Sequence, residues 1–177
     1  ASEVWINDID PSIHAFWHCV LNRTDELCAK IESTEVTIEE WHRQRSVQAS
    51  ARAQSLALGF STLFLNRTNR SGILKAGVIG GLAQAGEWKL DCRFRKFDLI
   101  EKIRRIALYK DQVTLTREDA STYLSSTVRM LPKQALINID PPYYRKGPEL
   151  YCSFYDHAAH KNLAQTIRIL QRPWMLT

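Results

Sequence analysis

Apolar positions along the first thirty residues follow two rhythms. Val4-Trp5-Ile6 is a short continuous apolar run within Glu3 to Asn7 and reads as a strand. Asp8 and Asp10 follow at once. Pro11-Ser12 then opens a helix to about Ile31, where Ile13, Phe16, Trp17, Val20, Leu21 and Leu27 return at helical spacing. Thr37 and Glu40 form a Thr-x-x-Glu capping box for a second helix. A further helical pattern runs from about Ala49 to Asn66.

The rhythm then breaks. Five of the seven glycines (Gly72, Gly77, Gly80, Gly81 and Gly86) fall within fifteen residues, which predicts a loop. Asp98 is placed to cap a basic helix from Leu99 to about Tyr109. Val113-Thr114-Leu115-Thr116 reads as a strand and leads to Arg117-Glu118-Asp119 and a short helix. Ala135 to Ile139 is an apolar run of buried-strand type, Asp156 starts a helix through Leu170, and Trp174 to Thr177 reads as a last strand.

Strands thus alternate with helices over 1–36 and 96–177, which predicts an α/β fold with a mostly parallel sheet. Residues 37–95 interrupt that alternation as a helical, Gly-rich insertion. A chain of 177 residues is one ordinary domain with room for such an insertion. No internal repeat or low-complexity tract is visible.

Composition narrows the class. The apolar fraction of 45% is that of a globular protein, and no run approaches the ~18 apolar residues of a membrane span. No positively charged start precedes an apolar signal core, so nothing indicates secretion. Cys19, Cys28, Cys92 and Cys152 are scattered without a C-x-x-C pair, which suits reduced thiols in an intracellular protein. His14, His18 and Cys19 lie close on one predicted helix, but no matching second set of metal ligands follows, so no metal is expected.

The net charge of +5 says less than its distribution. From Trp41 to Gly86 there is no Asp or Glu, while Arg43, Arg45, Arg52, Arg67, Arg70 and Lys75 are present. A basic surface without acids suits a polyanion. Excess charge of this size also serves plain solubility.

The candidate chemistry sits at strand ends. Asp140-Pro141-Pro142-Tyr143 directly follows the 135–139 run, at the edge where open α/β sheets bind ligands. Asp140 and the Pro141 carbonyl can accept hydrogen bonds from an exocyclic amino group, and Tyr143 can stack on a ring. The plain alternative is a strand-ending turn, because proline stops strands. Two further strands end in acid, at Asp8 or Asp10 and at Asp119. A carboxylate after the second strand of a nucleotide-binding sheet commonly holds ribose hydroxyls. One after the next strand can accept from an adenine amine. Equally, Asp10 and Asp119 can simply cap helices. No Gly-rich nucleotide loop precedes Asp8, and Gly77 to Gly81 follows no strand. Phe64, Leu65, Trp17 and Trp41 suit a core or interface. Lys102, Arg104 and Arg105 suit the wet side of an amphipathic helix. Tyr144, Arg145 and Lys146 suit a mobile lid after the turn.

These residues resemble the Dam-type adenine-specific DNA methyltransferases, which use S-adenosylmethionine. Asn7-Asp8-Ile9-Asp10-Pro11 resembles that family's "D-I-N-x-D" piece after its second strand. Phe64-Leu65-Asn66-Arg67-Thr68-Asn69-Arg70-Ser71-Gly72 resembles its "F-L-N-R-t-x-x-x-G" stretch beside the DNA. Asp119 falls at its third-strand acid, and Asp140 to Tyr143 matches its catalytic motif letter for letter. The resemblance covers nearly the whole chain.

It implies a Rossmann-like methyltransferase sheet, incomplete at both ends, with the catalytic domain at 1–36 and 96–177 and target recognition at 37–95. The family's first strand and Phe-x-Gly-x-Gly loop would precede Ala1, so the chain resembles a central fragment that is inactive alone. It further implies Asp140, Pro141, Pro142 and Tyr143 as catalytic, and Asp8, Asp10 and Asp119 as cofactor-binding. Arg67, Asn69, Arg70 and Lys75 are the implied contacts to double-stranded DNA. A cytoplasmic enzyme encoded by a bacterium or phage is the implied setting. Two other classes compete: a DNA-binding remnant without catalysis, lacking the cofactor Gly loop, and a methyltransferase acting on a protein glutamine or another amino substrate. The latter usually begins the turn with Asn, and Asp140 and the acid-free insert argue against it.

Overall fold

A computed structural model describes residues 2–50, 55–142 and 155–177. Among them the chain is a mixed α/β protein with short parallel strands. Strand β1 (Val4–Asn7) pairs in parallel with β2 (Val113–Thr116), Val4 opposite Val113 and Asn7 opposite Thr116. Strand β3 (Ile137–Ile139) pairs in parallel with β4 (Trp174–Leu176). The two pairs are not hydrogen-bonded to each other. The described sheet is therefore interrupted between its pairs, whereas the expectation placed its incompleteness at the two ends.

The long crossover from β1 to β2 carries five helices. α1 (Pro11–Asn22) starts with proline at its first turn, where no N–H is missed, and Asp10 accepts from the Ser12 amide at 2.7 Å. The helix expected to reach Ile31 instead breaks at Arg23 (φ −136°, ψ 39°), and α2 runs Thr24–Ser33. Thr24 turns its hydroxyl back onto the Val20 carbonyl at 2.8 Å, and Asp25 and Glu26 supply acids to a fresh first turn. α3 (Ile38–Ala49) is capped by Thr37, which accepts from the Glu40 amide. The Glu40 carboxylate pairs instead with Gln44 and Arg43.

α4 (Ser55–Thr68) is buried on every side from Gly59 to Leu65, which makes it the central helix. α5 (Lys96–Ala107) begins before Asp98, with Arg95 at the cap; Asp98 lies in the first turn instead. An acid is favourable throughout that turn, so it marks the turn without fixing the cap. After β2 come α6 (Ala120–Ser125) and, beyond β3, α7 (His157–Arg168), capped by Asp119 and Asp156 respectively. The Arg172 guanidinium donates to the carbonyls of Leu131 and Pro132, at 2.8 and 3.1 Å, clamping the approach to β3 beside that to β4.

Two hydrophobic cores result. The larger joins Cys19, Val20, Leu27 and Ile31 to Trp41, Phe60 and Phe64, and to Leu99 and Ile103. It crosses both proposed edges of the insertion, so among the described residues 37–95 does not pack as a separate body. The smaller gathers Tyr123, Leu124, Val128, Ile137, Ile139, Leu163 and Ile167. The Gly-rich segment is a string of turns pinned by an antiparallel bridge between Asn69 and Val78. Gly72, Gly80 and Gly81 have φ between +74° and +82°, which explains glycine there.

Candidate active-site cavity

The strand ends converge through one side chain. The Asn7 amide donates to the Glu118 carbonyl at 3.0 Å, and its oxygen accepts from the Glu118 amide at 3.0 Å and the Thr116 hydroxyl at 2.9 Å. This ties the end of β1 to the loop after β2, so Asp8 and Glu118 line one cavity, while Asp119, expected beside the cofactor, is not among its lining residues. Sequence reading placed Asn7 within a motif but assigned it no such work; a polar residue closing an apolar strand was the available signal.

Asp8 is half-buried and one of its oxygens accepts from the Asp10 amide at 2.8 Å. Burial pushes its carboxyl above the usual carboxylate range; the Asp10 amide opposes that shift and the Asp10 carboxylate adds to it. Among the described residues its second oxygen has no hydrogen-bond partner. Asp10 caps α1 through the Ser12 amide, as the structural alternative held.

Asp119 caps α6, one oxygen accepting from the amides of Ser121 and Thr122 at 3.0 and 3.1 Å. Its other oxygen accepts from the Tyr155 hydroxyl at 3.3 Å. Burial, and then the charge of Asp119, raise the Tyr155 phenol, which keeps it a proton donor. Nothing in the spacing of the chain announced that contact, because it spans 36 residues.

Asp8, Asp10 and Glu118 line a cavity of about 1230 Å³ together with Asp140, Pro141 and Pro142. Asp140 is exposed and the prolines are half-buried. Tyr143, Tyr144, Arg145 and Lys146 lie outside the described residues. The walls are apolar on two sides: Phe16, Trp17 and Leu63 from the larger core, Tyr123, Leu124 and Leu163 from the smaller.

The basic residues divide. Asn69 is fully buried; its oxygen accepts from the Trp41 indole at 2.6 Å and its amide donates to the carbonyls of Ile73 and Leu74. The expectation that Asn69 contacts DNA is corrected: its side chain holds the turn in place. Arg67 is half-buried and lines the cavity, and its buried Nε has no hydrogen-bond partner among the described residues. Arg70 and Lys75 are exposed. Arg45 is structural, stacking over Trp41 at 5.4 Å and donating to the Leu74 carbonyl at 3.0 Å.

Among the described residues no group of three or more His, Cys, Asp or Glu side chains could hold a metal ion. His18 lies 3.3 Å from the Ser55 hydroxyl through Nδ1, and the Cys19 thiol bonds the Ser55 carbonyl. No helix among the described residues is long and apolar enough to cross a membrane. No protein-family model matches the chain, and no curated protein matches it at a significant level.

Proposed function

We propose that this chain is the base- and cofactor-handling part of an S-adenosylmethionine-dependent methyltransferase acting on adenine N6 in duplex DNA. The observation that carries this reading is the sharing of one cavity by Asp8, Asp10 and the Asp140-Pro141-Pro142 turn. The donor set suits an adenosine-containing cofactor. Asp8 offers an oxygen for ribose hydroxyls, and Asp119 offers an acceptor to an adenine amine once Tyr155 yields it. When bound, S-adenosylmethionine supplies the electrophilic methyl group on a sulfonium.

The chain's own residues do the remaining work. The target base leaves the helical stack, at a cost of a few kcal/mol offset by pocket contacts. Asp140 and the Pro141 carbonyl accept the two amino hydrogens, which directs the nitrogen lone pair out of ring conjugation. Tyr143 stacks on the base. Asp140 would take up the amino proton given up when the methyl group leaves its sulfonium for nitrogen, and would pass it to solvent. Positioning and electrostatics supply the acceleration. Arg70 and Lys75 face the phosphates, and Arg67 supplies a guanidinium within the cavity.

A second reading, DNA binding without methyl transfer, draws on the exposed Arg43, Arg70 and Lys75 in an acid-free stretch. Calorimetry with S-adenosylmethionine separates the two. The first predicts saturable heat that weakens about tenfold or more in Asp8→Asn, the loss expected for a hydrogen bond to a charged group. Absence of heat, with salt-dependent duplex binding retained, would leave only the second.

A further inference from the structure

The acid expected beside an adenine amine is covered by a phenol. Asp119 commits one carboxylate oxygen to the amides of Ser121 and Thr122, at 3.0 and 3.1 Å. Its other oxygen accepts from the Tyr155 hydroxyl at 3.3 Å. Glu118 and Ala120, on either side of Asp119, line the cavity, and so does Tyr155; Asp119 does not. The phenol thus stands between the cavity and the carboxylate.

The ring is held independently of that contact. It packs against the smaller core and meets the His160 ring edge-on, 5.5 Å between centroids. A phenylalanine would pack there equally well, so the hydroxyl serves the acid and not the packing. Behind it the chain turns into α7, whose start Asp156 fixes by accepting from the Ala159 amide at 2.7 Å. The hydroxyl therefore leaves Asp119 by a side-chain rotation, with the backbone in place. The contact is long for an O–H···O bond, which is ordinarily about 2.7–2.8 Å, so a better-placed donor replaces it at little cost. Burial raises the phenol, and the charges of Asp119 and Asp8 add to the rise, so the group keeps its proton at neutral pH. A donor is thus already seated where a ligand's donor would go.

Resting on the adenosine-cofactor reading above, we propose that Tyr155 is a built-in competitor for the adenine amine: its hydroxyl occupies Asp119 when no ligand is bound, and a purine displaces it only by supplying an N–H donor in its place. Moving the phenol away strips a half-buried carboxylate oxygen of its partner, which is unfavourable unless a new donor arrives. An aminopurine brings that donor. A 6-oxopurine presents a carbonyl oxygen at the same position and sets two acceptors against each other, so it leaves the phenol where it is. The displaced hydroxyl stays close enough to take the carboxylate back, which favours release of a spent cofactor that still carries its adenosine.

The test titrates adenosine and inosine, by calorimetry or ligand-observed magnetic resonance, into the unaltered chain and into Tyr155→Phe. The variant keeps the ring and removes the competing hydroxyl. Adenosine should bind it about three- to tenfold more tightly, the worth of one ordinary hydrogen bond, while inosine gains nothing. A second measurement needs only the unaltered chain carrying isotope-labelled tyrosine: the Tyr155 ring signals should shift on adding adenosine and stay put with inosine. Adenosine affinity that is unchanged or weaker in Tyr155→Phe would overturn the competitor and leave the cofactor reading standing. Equal tightening of inosine would mean that the hydroxyl merely takes up space, and would sink the proposal too. So would a Tyr155 signal that ignores adenosine. Failure of either nucleoside to bind either form would remove this proposal and the cofactor reading together.

Discussion

At the scale of single residues, Asp8 holds its place at the cavity rim at some expense to the fold. Its folded-state carboxyl titrates above the ordinary value of 3.8, chiefly because burial penalises its charge. A raised carboxyl pKa favours folding while the group is protonated, and that contribution is lost as pH rises through the folded value. Ionised Asp8 is therefore a cost at neutral pH. Asp8→Asn keeps an oxygen for the Asp10 amide and removes the charge. We expect its melting temperature to exceed that of the unaltered protein at about pH 7, with the gap closing as pH falls to about 3. Thermal melts across that range check this. A group that stabilises less than its neutral isostere while sitting in a cavity is typical of sites where charge serves a ligand.

Asn69 shows the opposite case. Sequence placed it in a motif beside DNA, and its letter alone suits that role. Its three hydrogen bonds to Trp41, Ile73 and Leu74 are long-range or turn-dependent, and no local pattern encodes them. Asp10 and Asp119 were legible as helix caps from their position before a helix, and both are caps. What was not legible is that Asp119 also takes the Tyr155 hydroxyl.

At the scale of elements, α4 organises the larger core. Gly59 sits where α4 meets α1: a Cβ there would lie 2.6 Å from the Ala15 carbonyl oxygen and 2.8 Å from the Cys19 sulfur. The Thr62 hydroxyl bonds the Ser12 carbonyl and the Ser61 hydroxyl bonds the Gln44 carbonyl, fixing the helix between α1 and α3. The contact therefore has little room to relax. We expect Gly59→Ala to destabilise by about 1–3 kcal/mol despite alanine's better helix propensity. The melting temperature should fall by roughly 2–4 °C for each kcal/mol at this chain length, read by calorimetry or circular dichroism. The periodicity of apolar residues located most elements, because burial of one face imposes it. Boundaries shifted where two signals competed: at Arg23, where the hydroxyl of Thr24 and the acids behind it restart a helix, and at Asp98, which stabilises a first turn from inside.

At the scale of the whole molecule, the two cores differ in size. Among the described residues the larger holds fifteen buried hydrophobic side chains and the smaller seven. Local opening free energy follows buried apolar contact, so the half carrying β3, β4 and α7 should open first. Amide exchange at Ile137 and Ile139 should outpace that at Phe60 and Phe64 by at least about tenfold, equivalent to 1.4 kcal/mol. A uniform exchange rate across both halves would show one cooperative unit instead.

The sequence by itself determined the alternation of strands and helices, the caps at Asp10, Thr37, Asp119 and Asp156, and the placement of acids and the Pro-Pro turn at strand ends. These follow from periodicity, capping and proline geometry, which act over a few residues. Only the tertiary structure decided that Asn69 is internal, that residues 37–95 share a core with the flanking helices, and that residues of β1 and β3 line one cavity. Those outcomes depend on which surfaces remain after all others are buried, a global condition that no short stretch of chain encodes.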